Sequence, residues 1–331
     1  MTIVVTGATG HLGANLVRQL LADGCKVRAL VRDDVRAIAG LEVEQARGDV
    51  LDPSALRSAL AGADVVYHLA ALISVTGAQG GRVEAVNVLG TRNVVHACLQ
   101  AGVRRLVHFS SIHALCQLPR DTALDETRAP SDAGRAPAYD HSKARGDREV
   151  MAGIGAGLDA VILNPTAVIG PYDFKPSRMG RVLLALVRRR LPALVGGAFD
   201  WVDARDVCRA AIAAASVGRS GERYLLSGTY LSVRGLAALV EETSGVRAPR
   251  VTAPQWLARP GAPLAAAWSR LRRTQPLFTP DSLAALRMCN PRVSPAKATA
   301  ELDFAPRPLR DTIADTMAWF VETGRLSAGA R

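Results

Sequence analysis

The chain has 331 residues, 49% of them hydrophobic and 21% charged. That is enough for one large domain or two unequal ones around a sizeable core, and too apolar for a disordered chain. The net charge of +11 comes with only 5% aromatic residues and no recognition motif, so it points to solvated helix faces and an attraction for a phosphorylated cofactor or anionic substrate rather than to nucleic acid. No basic and apolar leader opens the chain, and no run of about 18 apolar residues would insert in a membrane. The five cysteines, Cys25, Cys98, Cys116, Cys208 and Cys289, are dispersed and form no CxxC pair. This pattern points to reduced thiols in the cytoplasm and offers no metal centre.

In chain order, short apolar runs alternate with longer helical patterns. Strands are predicted at Thr2–Val5, Lys26–Val31, Val43–Ala46, Ala63–Leu69, Arg105–Phe109 and Asp159–Leu163, near-continuous apolar runs suited to a sheet covered on both faces. Helices are predicted at Leu12–Ala22, Pro53–Leu60, Val83–Ala101 and Tyr139–Gly153; Asp52 ahead of Pro53 marks the start of the second. The order predicts an α/β fold, a Rossmann-type doubly wound parallel sheet with right-handed crossovers. The polar segment Cys116–Pro137, with Pro119, Pro130 and Pro137, reads as a long loop at the edge of the site.

Beyond about residue 170 the rhythm loosens. Residues 1–171 are expected to form the dinucleotide-binding domain, with 201–226 returning to it as a helix at Ala204–Ser216 and a strand at Glu222–Leu226. Residues 172–200 and 227–331 are expected to form a smaller, mostly helical substrate-binding region. Within it, Ala258–Arg273 is apolar and alanine-rich. Pro260 and Pro263 interrupt it, which favours a pocket lid or core packing over a helix lying on a membrane.

Gly7, Gly10 and Gly13 recur at i, i+3 and i+6 directly after the first strand and at the start of the first helix. The turn needs residues without a Cβ, and the helix start offers unpaired N–H groups and a positive dipole end to a pyrophosphate. Thr9, His11 and Leu12 complete this loop; His11 either touches phosphate or fills the loop, the second being the simpler role. The second strand ends in Arg32 and Asp33. An arginine there accepts a 2′-phosphate and an acidic residue binds the 2′-hydroxyl, so Arg32 predicts NADP(H) and leaves NAD(H) open through Asp33. At the end of the third strand Asp49, followed by Val50, either bonds the adenine amino group or closes a turn. Small residues in Leu69-Ala70-Ala71 would let the backbone lie against the cofactor.

Tyr139 and Lys143 stand at i and i+4, one turn apart on one helix face. A phenol ionises near pH 10, and a neighbouring ammonium is expected to lower that value, so that Tyr139 serves as general acid toward a carbonyl or base toward an alcohol. Lys143 would also hold the nicotinamide ribose. YxxxK is common by chance; Ser110-Ser111 at the end of the fifth strand strengthens it, because ligands of such sheets bind outside the carboxyl ends of the strands. Ser111 is expected to bond the substrate oxygen, and Ser110 to cap the strand end.

The order TGATGHLG, DVLD, HLAA, FSS, YDHSK and NPTAVIGP resembles the extended short-chain dehydrogenase/reductase superfamily, in its dihydroflavonol-4-reductase-like, NAD-dependent epimerase/dehydratase branch. The resemblance runs over nearly the whole chain, Asn290–Phe304 and Asp311–Phe320 included. It implies that Gly7, Gly10 and Gly13 hold the pyrophosphate, Arg32 the 2′-phosphate, and Ser111, Tyr139 and Lys143 the chemistry. It implies that the segment from Asn164, with Pro165, Thr166 and Val168, passes beneath the nicotinamide. It also implies that Asn87 orients active-site backbone (an interior structural role is its rival) and that a homodimer forms through Val83–Ala101 and Tyr139–Gly153.

Two departures bear on substrate. Ile112-His113-Ala114-Leu115 replaces the Tyr-Gly of many sugar-acting relatives, and no Asp-Glu follows the serine strand, Asp125-Glu126 lying too far along. Candidate substrate contacts are Ser74, His113 and Arg178, with Phe199, Trp201 and Trp256 as apolar walls; Asp203 and Asp206 read as helix-capping charges. The expected activity is NADPH-dependent interconversion of a ketone or aldehyde and an alcohol on a small organic metabolite. The alternative is an epimerase or dehydratase of a nucleotide or phosphorylated sugar. A non-catalytic nucleotide sensor is a third reading, against which the intact Tyr139 and Lys143 argue.

Overall fold

The computed structural model describes residues 1–131, 136–254 and 279–327. Its centre is a seven-stranded, wholly parallel sheet. In chain order the strands and helices are β1 (Thr2–Thr6), α1 (His11–Ala22), β2 (Lys26–Val31), β3 (Glu44–Arg47), α2 (Pro53–Leu60) and β4 (Val65–His68). A short helical turn at Arg82–Glu84 and a π-helical turn at Ala85–Leu89 lead into α3 (Gly90–Ala101), then β5 (Arg105–Phe109), α4 (Ala138–Gly155) and β6 (Ala160–Pro165). After β7 (Ala167–Ile169), α5 (Arg178–Val187), β8 (Leu194–Val195), β9 (Ala198–Asp203) and α6 (Ala204–Val217), β10 (Arg223–Leu226) rejoins the main sheet. The chain then forms β11 (Thr229–Ser232), α7 (Val233–Ser244), β12 (Thr252–Ala253), α8 (Pro280–Met288), α9 (Ala296–Leu302) and α10 (Leu309–Glu322).

The spatial order is β10-β6-β5-β4-β1-β2-β3, so the winding reverses between β1 and β4. In such sheets the crevice at that reversal, outside the carboxyl ends of the strands, is where ligands bind. Apolar residues of α1, α6 and α9 cover one face; those of α2, α3 and α4 cover the other. α2 begins where the sequence marks it: the Asp52 carboxylate accepts the N–H groups of Ser54 and Ala55, and Pro53 needs no acceptor of its own.

One expectation needs correction. The third strand is not covered on both faces: it is the sheet edge, and Glu44, Gln45 and Arg47 are exposed, Glu44 accepting Arg28 Nε at 2.7 Å. Its apolar content was too small to say so, since only Val43 and Ala46 carry it. Among the described residues the later region is mostly helical, with α5, α7, α8, α9 and α10; its short strands join β7 in a three-stranded sheet, β11-β9-β7, and form a two-stranded one, β12-β8. Ala258–Arg273 and Trp256 lie outside the described residues.

Candidate active site

The glycine loop is fixed by close approach of backbone. Gly7 has φ +71°, and a Cβ there would lie 2.7 Å from Ala70 N; one on Gly13 would lie 2.2 Å from Gly7 O. The β1 loop, the end of β4 and the start of α1 therefore abut as bare backbone, with Gly10 exposed at the helix cap. Thr9, Leu69 and Ala70 are half-buried around it and Ala71 is exposed. The N–H groups of His11, Leu12 and Gly13 in the first turn of α1 have no acceptor within the helix, as at any helix start. A cradle in which side chains have no room, under an open helix end, fits a dinucleotide pyrophosphate.

His11 turns away from that cradle. Its Nε2 stands 3.1 Å from Gly170 O and 3.0 Å from Pro171 O, so its ring ties α1 to the chain beyond β7. The reading of His11 as a phosphate contact is thus corrected to the loop-fixing role for its side chain. At the adenosine end, Arg32 Nη1 lies 3.3 Å from Asp49 Oδ2, with both side chains open to solvent. Asp49 Oδ1 also accepts the Leu51 N–H, so the turn role and proximity to Arg32 coexist. Val50 is buried, its methyl where a Cβ on Gly90 would fall.

Ser111, Tyr139 and Lys143 meet at the end of β5. Ser111 caps the short helical turn Ile112–Ala114 that follows β5: its hydroxyl accepts the His113 N–H at 3.2 Å, and Asn164 Nδ2 donates to its carbonyl at 2.8 Å. Tyr139, in the first turn of α4, has its phenol beside Ser111. Burial pushes this phenol up to about 12, with Ser111 opposing the shift. Lys143 does not lower it as expected, because its Nζ donates instead to Phe109 O at 2.8 Å. Burial pushes the Lys143 amine down to about 8, against the attraction of Asp147. The site thus holds a protonated phenol at neutral pH, the form a proton donor needs. His113 packs edge-on to Tyr139 at 6.3 Å between ring centroids. Its Nδ1 stands 3.4 Å from Asp140; burial works against its charge, but Asp140 prevails and raises its pKa.

A buried polar lattice underlies these groups, and most of it escaped the sequence reading. Asn87, on the π-helical turn, accepts Leu72 N–H at 2.7 Å and donates to Leu72 O at 3.1 Å and Ser142 Oγ at 2.9 Å. It thereby locks the β4 loop to the catalytic helix. His68 bridges Thr6 Oγ1 at 2.7 Å and Thr91 Oγ1 at 3.1 Å, and its ring lies 5.2 Å from that of His108. Polar residues closing otherwise apolar strands, His68 in β4 and His108 in β5, are the available signal.

The substrate-side candidates fare differently. The Ser74 hydroxyl donates to Gly77 O at 2.7 Å and accepts from Thr76 N–H and Gln79, closing its own turn. Arg178 is half-buried behind the helix cap Ser177, and burial pushes it down to about 10. Trp201 is core rather than pocket wall: it is buried, donates Nε1 to Leu231 O at 3.0 Å and packs edge-on against half-buried Phe199. Pro165 ends β6 and Val168 lies in β7, half-buried. The Thr166 hydroxyl and N–H both turn to Leu226 O, with Asp200 beside the hydroxyl. Asp203 caps α6 and pairs with Arg205, while Asp206 pairs with Arg209 and Arg307. Glu126 accepts the Leu225 N–H at 3.0 Å, away from the reacting groups. Among the described residues no group of His, Cys, Asp or Glu could hold a metal ion, and no helix is long and apolar enough to cross a membrane. All five cysteines are free thiols.

Residues 3–227 match the model of the NAD dependent epimerase/dehydratase family. The chain is 40% identical to "Sterol demethylase protein B" of Methylococcus capsulatus, over 98% of this chain and all of that protein. It is 33% identical to a "Putative dihydroflavonol 4-reductase" of Synechocystis sp., over 97% and 94%. Among solved structures, that of gox2253 superposes with a TM-score of 0.84 at 34% identity, covering 98% of this chain and 99% of that one.

Proposed function

Because the chain belongs to the NAD-dependent epimerase/dehydratase family of the extended short-chain dehydrogenase/reductases, and is an NAD(P)-dependent oxidoreductase, we propose that it is an NADPH-dependent reductase interconverting a ketone or aldehyde with an alcohol on a small, apolar organic metabolite. The observation that carries this reading is the half-buried Tyr139 phenol, kept protonated at neutral pH, beside Ser111 at the end of β5. The cradle of Gly7, Gly10 and Gly13 would hold the dinucleotide, which when bound would supply the hydride for the carbonyl carbon. Tyr139 gives its phenolic proton to the carbonyl oxygen as charge develops there, and Ser111 Oγ–H donates to the same oxygen. Lys143, on the same face of α4, would hold the nicotinamide ribose, and its ammonium would stabilise the phenolate until a solvent proton restores it. In the oxidative direction each of these steps reverses.

The exposed Arg32 guanidinium supports NADPH over NADH, since it can meet a 2′-phosphate while Asp49 is engaged in its own turn. An apolar substrate is supported by the names of the relatives, one a sterol demethylase component and one a reductase of dihydroflavonol. Residues 1–171 with 201–226 serve the dinucleotide in this reading, and the remainder the substrate. Tyr139→Phe tests it. NADPH affinity is expected to stay while kcat for carbonyl reduction falls about 10²- to 10⁴-fold; full activity in the variant would remove Tyr139 from the chemistry.

A further inference from the structure

One turn beyond Lys143 on α4 stands a second buried charged residue, a carboxylate for which the proton transfer above has no use. Asp147 is one turn further along α4 and 3% exposed, as is Lys143 itself. Its Oδ1 stands 3.5 Å from His108 Nε2, on β5, and its Oδ2 3.2 Å from Arg223 Nη1, on β10. An isolated carboxylate is costly to bury, and one bonded by a guanidinium at 3.2 Å, with a lysine one turn away on its own helix, stays ionised. Burial works against this charge, but His108 and Arg223 prevail and hold Asp147 below the usual carboxylate range.

We propose that Asp147 is a positioning residue, the buried counter-ion that keeps the Lys143 ammonium charged and in place, with His108 and Arg223 holding its own carboxylate. The inference rests on the reading of Lys143 as part of the proton-transfer site. Other groups facing Lys143 leave Asp147 as its compensation. From its own helix there are the neutral Tyr139 and Asp140, which is paired with His113 of the β5 loop. From β4 and β5 come His68 and His108, both held neutral by burial, and from β6 the uncharged Asn164. Of the other charges on α4, Arg145 pairs with Glu84 and Glu149 with Arg92 of α3, and Arg148 is exposed. Arg223 competes for the same carboxylate, which gives the test two signs.

The chain has four lysines, Lys26, Lys143, Lys175 and Lys297, so carbon-13-labelled lysine gives four signals to titrate by NMR in the full-length protein. In Asp147→Asn the Lys143 titration is expected to move down by about one pH unit, and the alkaline limb of the rate profile with it. Asp147→Glu is expected to restore both, and Arg223→Met to move both upward. A folded Asp147→Asn whose Lys143 titration stays put, with kcat lowered evenly at every pH, overturns the proposal. Should that variant fail to fold, an unmoved or downward-shifted Lys143 in Arg223→Met overturns it equally. The NMR readout needs no substrate. If the lysine shifts as stated while no carbonyl is reduced, the functional reading fails and the counter-ion role stands.

Discussion

The cradle around Gly7, Gly10 and Gly13 and the region built on β9, β11, α5, α7 and α10 are shaped by opposite means. The first is bare backbone in close approach: its geometry follows from residues that lack side chains and from a helix end no side chain caps. The second is filled by large side chains, with Trp201, Trp319, Phe320, Leu183 and Ile313 in one cluster. A cradle made of absences tolerates no added atom, but it serves any ligand with a pyrophosphate. A region made of packed side chains can change its lining at little cost to the fold. In the proposed reading the dinucleotide belongs to the first and the substrate to the second.

Substitutions on the two sides should separate these roles. The largest effect is expected from Trp201→Ala, which removes the indole from its cluster and its bond to Leu231 O. Stability should fall by about 3–5 kcal/mol in denaturant titration, with NADPH affinity of the folded protein unchanged; a large loss of nucleotide affinity would mean that the two regions are not separable. Gly13→Ala puts a Cβ against Gly7 O, and is expected to cost about 1–3 kcal/mol of stability and to weaken nucleotide binding with it. Unchanged affinity would sink the account of the cradle. Arg32→Ala should weaken NADPH about tenfold, or about 1.4 kcal/mol, and leave NADH alone; equal effects on both nucleotides would remove Arg32 from the 2′-phosphate.

The smallest effect concerns pH. Burial holds His68 well below 6.5 and His108 lower than usual, so both stay neutral in the folded chain. The unfolded chain takes up these protons first as pH falls through 6.5, and stability is lost from there downward. His113, raised by Asp140, acts in the opposite direction and softens the slope. Melting temperatures from pH 8 to pH 5 should therefore decline on the acid side, and more gently in a His68→Asn variant.

Much of the fold was legible because local rules decide it. β2, β5 and α2 coincide with their predicted ranges, since each combines an unbroken apolar or amphipathic pattern with a clear start or stop. The glycine loop was legible for the same reason, and so was the meeting of Ser111, Tyr139 and Lys143, which the order of strand ends dictates. What escaped depends on neighbours distant in sequence. His11 is claimed by Gly170 and Pro171, and Ser74 by its own turn. The direction of the Tyr139 shift followed from burial, which spacing along a helix does not reveal. Asp147 stands four residues after Lys143, a visible spacing, but its partners on β5 and β10 are set by the sheet order alone.

The most direct test of the reductase account is a balance of nucleotide against product. The purified protein, freed of any nucleotide it carries, is mixed with NADPH and a panel of apolar ring ketones that includes 3-ketosterols, and NADPH loss and alcohol formation are followed together. The account predicts that NADPH is consumed one for one with alcohol formed, and that it binds more tightly than NADH. A protein that retains NAD at near-full occupancy and interconverts nucleotide sugars with no net change in nucleotide would contradict it.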